Sequence, residues 1–413
     1  MTQAVVKENE LSILKRPFSL TLVIDCFMVL YITSVYTFSY NELNFISKGL
    51  AFVLMGLLAI YAMMKKSIKF DGLGVYLGLF TLVCLMSCLW AVDISAAFTG
   101  TTTMLQIFIL VILLYNYIQK EEKLDFFITV MCIAATIFAV YTVLYIGVEE
   151  YFSGLEEGER LGWGINNVNS IGMTTASAFT LNLWRVFYMK RRMNIIFASI
   201  CLVVSLGSGS RTAIIGIVFG IIALFTLKGK GTQRIKSVFQ CIMILGILYL
   251  ILQLPAFDIF MERIDKMLLS LFGEGTADNS AETRFSMTEI GLQAFAQRPL
   301  TGVGIRNSNS ITKEIGLSTY LHNNYVELLA TVGIFGTVFY YLMFLTPLIK
   351  LFKSAWRQNH GAIVAVILIL SHLVFHFGTV SYYNKESYLY LILAWATISD
   401  VRKRIPEMPK KQS

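Results

Sequence analysis

The sequence predicts an all-α polytopic membrane protein with about 12 transmembrane helices and one long external loop containing an amphipathic helix. Three observations predict it. Hydrophobic residues make up 56% of the 413 and charged residues 15%, for a mean hydropathy of +0.66. A water-soluble fold of that composition has too little polar surface. The apolar residues also fall in runs of membrane-crossing scale. Finally, these runs lack the alternation of barrel strands, which leaves helices as the structures that meet every backbone hydrogen bond in lipid.

The runs are 18–38, 46–64, 72–91, 98–118, 124–147, 167–187, 194–207, 211–227, 235–254, 323–352, 361–381 and 386–399. Two of them, 194–207 and 386–399, are short against the roughly 20 residues a span needs. They are expected to be tilted, extended by flanking polar residues, or partly re-entrant. The division that follows is a cytoplasmic N-terminus (1–17), nine spans within 18–254, an external loop (255–322), three spans within 323–399 and a cytoplasmic tail (400–413). In the loop, Pro255 closes the ninth span. Residues 279–298 read as a surface helix capped by Asn279 or Ser280, with Glu282 in its first turn and Phe285, Leu292, Phe295 and Ala296 on an apolar face laid against the membrane. Arg298-Pro299 ends it, and a glycine- and asparagine-rich turn follows.

Charge sets the orientation. With both termini cytoplasmic, 24 of the 34 basic residues lie inside, including Lys65, Lys66, Lys69, Arg191, Arg192, Lys228, Lys353, Lys403 and Lys411. The remainder lie outside, mostly in one long loop where the positive-inside bias acts weakly. The net charge of +8 thus reflects topology, and no nucleic-acid partner is implied. No cleavable signal peptide is expected from residues 1–17. The six cysteines all sit inside apolar runs, so no disulfide framework is expected. Cys84 and Cys88 share a helix face without a neighbouring His or carboxylate, which favours packing over a metal site.

The basic residues outside differ in kind from those inside. Outside lie Lys48, Lys266, Lys313 and Lys385 with Arg160, Arg211, Arg263, Arg284, Arg298 and Arg306, whereas lysine dominates inside. The planar guanidinium fork is the better ligand for phosphate oxygens, although each arginine taken singly also fits a structural ion pair. As a set near His322, the lone histidine of the loop, they favour an outward-facing anion site. Arg211 ends the turn G-S-G-S-R and starts the next helix, where close backbone approach and helix-start donors favour an anion; an arginine snorkelling to the interface is the alternative. Arg284 has the same logic in the surface helix. Arg160, Asn166, Asn167 and Asn169 supply further polar donors or serve as caps and turn formers. Arg306, Asn323 and Glu327 are accessory candidates, Glu327 either orienting a hydroxyl or stabilising the helix start. His372 and His376, one turn apart, line a cavity, bind metal or form a packed, hydrogen-bonded pair, the last being favoured.

S-R-T-A at 210–213, E-T-R-F-S-M-T-E-I-G-L at 282–292, R-P-L-T-G-V-G at 298–304 and L-H-N-N-Y-V-E-L-L-A-T-V-G-I-F-G at 321–336 together resemble the O-antigen ligase and polymerase family of bacterial surface-glycan assembly. Order, spacing and span count agree over essentially the whole chain. The resemblance implies a metal-independent, integral-membrane (C-type) glycosyltransferase without cofactors. Its substrates would be an undecaprenyl-diphosphate-linked oligosaccharide donor and a glycan acceptor, handled among membrane lipids at the outer face of the bacterial inner or plasma membrane. It also implies that Arg211 and Arg284 hold the diphosphate and that His322 does the proton chemistry. One departure stands out: the region 372–383 (H-L-V-F-H-F-G-T-V-S-Y-Y) has no acid where some ligases carry an aspartate.

The chemistry is coherent without the family. Displacing a lipid diphosphate from an anomeric carbon needs the leaving charge stabilised and an acceptor hydroxyl oriented or deprotonated. Arginines in a partly dry site do the first, and no D-x-D metal motif occurs in the chain. A histidine that titrates near ambient pH does the second. A lipid-linked-oligosaccharide flippase or other transporter is the alternative class. It calls for inverted repeats and mid-membrane ionisable groups, whereas Asp25 is the one acid well inside a run and lies towards the cytoplasmic side. A non-catalytic scaffold leaves the concentrated arginines unexplained. Polymerase and ligase are not separated by any residue.

Overall fold

The computed structural model describes residues 19–39, 42–157, 159–162, 164–229, 232–254, 258, 261 and 279–404. The expected N-terminal segment 1–17, the closing Pro255, the loop residues Arg263 and Lys266, and the tail beyond 404 lie outside the described residues. Among the described residues the secondary structure is helical, and a helix sits on each of the twelve apolar runs. In chain order these are α1 (Leu20–Phe38), α2 (Asn44–Lys65), α3 (Gly72–Ser87), α4 (Ile94–Lys120), α5 (Leu124–Ile146), α7 (Val168–Met189), α8 (Asn194–Gly207), α9 (Arg211–Thr226), α10 (Thr232–Leu252), α13 (Asn324–Trp356), α14 (His360–Phe375) and α15 (Lys385–Arg404). Three more belong to connections: α6 (Val148–Glu156), α11 (Asn279–Gln297) and α12 (Ser308–Thr312).

Caps explain most starts. Ser19, Asp71, Asp93, Asn167, Ser210, Asn323 and Asn359 each accept a backbone N–H of the first turn through the side-chain oxygen, as short polar side chains do at helix starts. Among the described residues, six helices (α1, α2, α4, α5, α10 and α13) are long and apolar enough to cross a membrane, which makes this a polytopic helical membrane protein. Helices α3, α8, α9 and α14 are apolar but have 14 to 16 residues. At 1.5 Å per residue they reach only about 21–24 Å.

Length and burial divide the labour. Helix α15 packs against α14, α13, α4 and α5, and residues 387–396 along it are buried on every side. The run 386–399 is therefore short because the helix is central: polar residues extend it at both ends, and protein rather than lipid surrounds it. Residues Ala362–Ile369 of α14 are equally enclosed. Helix α10 is the opposite case, packing chiefly on α9 and leaving Phe239, Ile242 and Leu250 exposed.

Helix α13 is broken near its start. Gly333 takes φ 67° and ψ −171°, values outside any helix. Two carbonyls freed by the break, those of Ala330 and Thr331, accept from the N–H groups of Val303 and Gly304, and Ile334 N–H donates to the carbonyl of Pro299. The R-P-L-T-G-V-G segment is thus plugged into the helix break. A side chain at Gly333 would run into the Leu300 carbonyl, and one at Gly302 (φ 63°) into Thr331. Glycine is needed at both places for the contact and for the positive φ. The plug is fastened on its far side to the α3–α4 turn. Trp90 Nε1 donates to the Thr301 carbonyl at 3.1 Å, Val92 N–H donates to Val303, and Asn307 bonds both backbone groups of Asp93.

Candidate functional site

The plug creates a small second core. Met287, Val303, Ile311, Leu321, Val326 and Ala330 pack together, apart from the main bundle, with Ile290, Ala294 and Leu317 at its edge. Residues 284, 287, 291 and 294 recur at helical spacing and share one face of α11. That face meets the start of α13, and Gly291 permits the approach, since a side chain there would strike Val326 and Leu321. Arg284 and His322 are brought together by this packing. The apolar face expected on α11 is a different one: Phe285 and Leu292 stay exposed, as a membrane-facing stripe would. The expected Asn279 or Ser280 cap falls on side chains outside the described residues.

His322 stands one residue before the cap of α13 with φ 54°, a left-handed turn that lifts its ring off the helix. The Tyr320 ring lies against it, centroids 4.2 Å apart. The turn is fixed from behind by Glu327, 1% exposed, whose Oε2 accepts the Leu321 N–H at 3.0 Å. Asn323 accepts from Tyr325 and Val326 N–H, so it is a helix cap. Burial and the Arg284 charge together push the His322 pKa down to about 4. The imidazole is therefore neutral at physiological pH, with a lone pair free to accept a proton. The expectation of a pKa near ambient pH is corrected. The physical reason is a half-buried ring beside a guanidinium, and a bound anion would oppose the second effect.

Asn324, unnoticed in the sequence, is the hub. Its N–H donates to the His376 carbonyl at 2.8 Å, its Oδ1 accepts from Ser381 and Tyr382 N–H, and its Nδ2 donates to the Tyr341 hydroxyl. It pins the turn after α14 to the His322 turn. Arg211 stands at a helix start that lies against the same turn. It begins α9 immediately after the Ser210 cap, and its neighbour Thr212 contacts Gly378. Arg160 donates from Nη2 to Asn169 Oδ1 at 2.7 Å and from Nε to the Ser208 carbonyl. It braces the turn that presents Arg211.

Arg306 is exposed, at φ 60°, and lines a cavity with Tyr382 and Tyr383. The structure therefore groups Arg284, His322, Glu327 and Asn323. The helix start that carries Arg211 lies against the 376–382 turn, and Arg160 braces the Ser208 turn before it.

His372 and His376 line a small cavity with Ser170, Thr174, Ser381 and Glu386. Their rings are 6.2 Å apart, and both nitrogens of the fully buried His376 lack a hydrogen-bond partner among the described residues. The favoured expectation of a hydrogen-bonded pair is thus corrected: aromatic rings of Tyr325, Tyr340, Tyr341 and Phe344 surround His376 where partners would stand. Among the described residues no cluster of three metal-ligating side chains occurs, and the six cysteines are free.

Fold and site together define a multi-pass helical membrane protein with a cation-and-histidine site gathered at one end of the bundle. Residues 195–341 match a family model described as O-Antigen ligase, which bears out the resemblance in the sequence motifs. The matched segment contains Arg211, Arg284 and His322. An uncharacterized protein of Haemophilus influenzae is 24% identical over 304 residues, covering 69% of this chain and 73% of that protein.

Proposed function

We propose that this protein transfers or polymerises glycan from an undecaprenyl-diphosphate-linked donor onto a sugar hydroxyl at the outer face of the membrane. One arrangement carries the reading: the Arg284 charge on α11 acts on a neutral His322 held in a rigid turn, and the start of α9, where Arg211 stands, lies against the 376–382 turn that Asn324 ties to His322. The arginines hold the diphosphate and stabilise the charge it gains as the anomeric C–O bond breaks. The acceptor hydroxyl oxygen forms the new bond to the anomeric carbon, its proton passes to His322 and then to solvent, and the lipid diphosphate leaves with the electron pair. Glu327 and Asn323 fix the His322 turn, and Arg160 fixes Arg211.

Twelve spans, both termini cytoplasmic and the 255–322 loop outside complete the proposal. The short helices α3, α8, α9 and α14 span by packing within protein. The transporter alternative loses its best ionisable group. Asp25 bonds the Tyr117 hydroxyl at 2.8 Å and pairs with Lys123, so it is a structural charge.

Two experiments test the proposal. Purified protein given a lipid-linked oligosaccharide and an acceptor should release the lipid diphosphate and lengthen or attach the glycan; transport across vesicles without transfer would overturn it. In a cysteine-free background, a cysteine at the exposed Asn309 should react with an impermeant thiol reagent from outside, and one at the exposed Arg191 should not. The reverse pattern would invert the site. A deletion strain then separates the two acceptors: single repeats on the surface molecule mean a missing polymerase, full-length lipid-linked chains a missing ligase.

A further inference from the structure

Beside the 382–385 segment lies a cavity of about 250 Å³ lined by Lys48, Arg306, Lys385, Tyr382, Tyr383 and Asn384. Three cations from three separated segments (α2, the plug loop and α15) enter it, and no carboxylate lines it. None of the three forms an ion pair among the described residues. Gathering like charges costs energy unless a counter-charge is supplied, and one carboxylate would satisfy only one of them, by a bidentate pairing with Arg306. A phosphate or diphosphate, with several charges and oxygens, suits the set.

A second, mainly apolar pocket of about 30 Å³, which also takes in Thr103 and Gln106, adjoins it. Lys48 and Lys385 belong to both, and from them Ala51, Phe52 and Met55 of α2 face Ile107 and Leu110 of α4. Successive residues along both helices lead from the cations down into the bundle's apolar side. Phe52 is 57% exposed there, as a lipid-facing side chain would be. A charged head above an apolar groove is the outline of an amphiphile.

We propose that Lys48, Arg306 and Lys385 hold the phosphate-bearing head of a second lipid-linked substrate, its hydrocarbon chain lying in the α2–α4 groove. This rests on the proposed transferase function and assigns the acceptor side of it: the acceptor glycan is itself attached to a lipid diphosphate of the donor's kind, which is the acceptor that polymerisation requires. Tyr383 forms the shared wall. It lines this cavity, and its hydroxyl is held above its ordinary pKa by burial and by the charge of Glu327 in the donor site. A head held beside this segment would place an acceptor sugar within reach of a donor held at Arg284 and Arg211.

The test uses the full-length protein in nanodiscs of phosphatidylcholine, titrated with undecaprenyl diphosphate. Wild type should bind two molecules per chain, and Lys48→Gln with Lys385→Gln should bind one, as should Arg306→Gln. The retained molecule reports that the variants are folded, and Arg211→Gln with Arg284→Gln should lose it selectively. A single bound molecule in wild type, unaffected by Lys48→Gln with Lys385→Gln, would overturn this inference and leave the transferase reading standing. Loss of neither molecule in Arg211→Gln with Arg284→Gln would instead strike the donor assignment. Phosphatidylglycerol is the competing source of a lipid phosphate; equal displacement by it of the Lys48-dependent molecule would overturn the identification of a glycan-carrying lipid. In turnover with a donor whose own acceptor hydroxyl is blocked and a separate lipid-linked acceptor, Lys48→Gln should raise the acceptor KM at least tenfold with the donor KM unchanged, and equal KM values in both proteins would also refute the proposal.

Discussion

The two ends of the helix bundle treat charge in opposite ways. At the end assigned to the cytoplasm, several acids have a named partner. Asp25 has Lys123 and Tyr117, Glu121 has Tyr61, Asp71 has Tyr115, and Glu122 has Lys403 at 2.8 Å. At the other end Lys48, Arg306 and Lys385 face a cavity without an acid, and the Arg284 charge falls on a neutral histidine. Matched charges stabilise or orient the fold. Lys48, Arg306 and Lys385, with no acid lining their cavity, repel one another, and an anion held among them would relieve that repulsion. The difference locates function better than any count of basic residues.

The largest expected effect comes from removing the base itself. His322→Ala should lower turnover by about 10²–10⁴-fold while expression and membrane insertion stay normal, because the Leu321–Glu327 and Asn323 bonds that hold the turn remain. Donor binding should survive as well, so binding and turnover part company. Wild-type turnover in purified His322→Ala would end the catalytic assignment.

Next in size are the arginine forks. Arg284→Lys and Arg211→Lys keep the charge and lose the planar pair of donors, and each should cost about 10²–10³-fold in rate. Near-normal glycan in both variants at equal protein levels would make these arginines structural, and the contrast between the two ends would collapse.

A smaller and more discriminating effect lies in the pH profile. With its pKa held near 4, His322 in the free enzyme is deprotonated from about pH 5 upward, so kcat/KM should show no acid limb between pH 5.5 and 7.5. Arg284→Gln removes one of the two causes of that depression. The pKa then rises, protonated His322 becomes more abundant in mild acid, and the acid limb should move upward towards neutrality relative to the variant's own plateau. An unmoved limb would show that Arg284 and His322 do not act on one another.

The smallest effect on chemistry is expected at the matched end. Asp25→Asn strands Lys123, whose side chain is 21% exposed, and should destabilise the protein by about 1–3 kcal/mol. This should be visible as lower thermal stability or yield, with turnover per folded molecule unchanged. A loss of turnover at normal stability would mean that this end, too, takes part in function.

The sequence determined the class of fold and supplied the residues of the proposed site. A helix formed on each of the twelve apolar runs, with ends that differ by up to six residues, as at Phe375 for the run 361–381, since hydrophobic length and caps such as Asp93 and Ser210 act locally. Arg211, Arg284 and His322 were legible because a polar, arginine-bearing segment interrupts an otherwise apolar chain. What no local pattern carries was decided by tertiary structure. Gly302 and Gly333 each look like an ordinary loop or helix glycine, and only their contact reveals the broken helix. Asn324 reads as a second asparagine beside a cap, yet its three bonds tie 324 to 376–382. Lys48, Arg306 and Lys385 are far apart in sequence, and a cavity shared by three elements exists only once the elements pack. The neutral state of His322 also depends on packing, because burial and the placement of a guanidinium are properties of the assembled site.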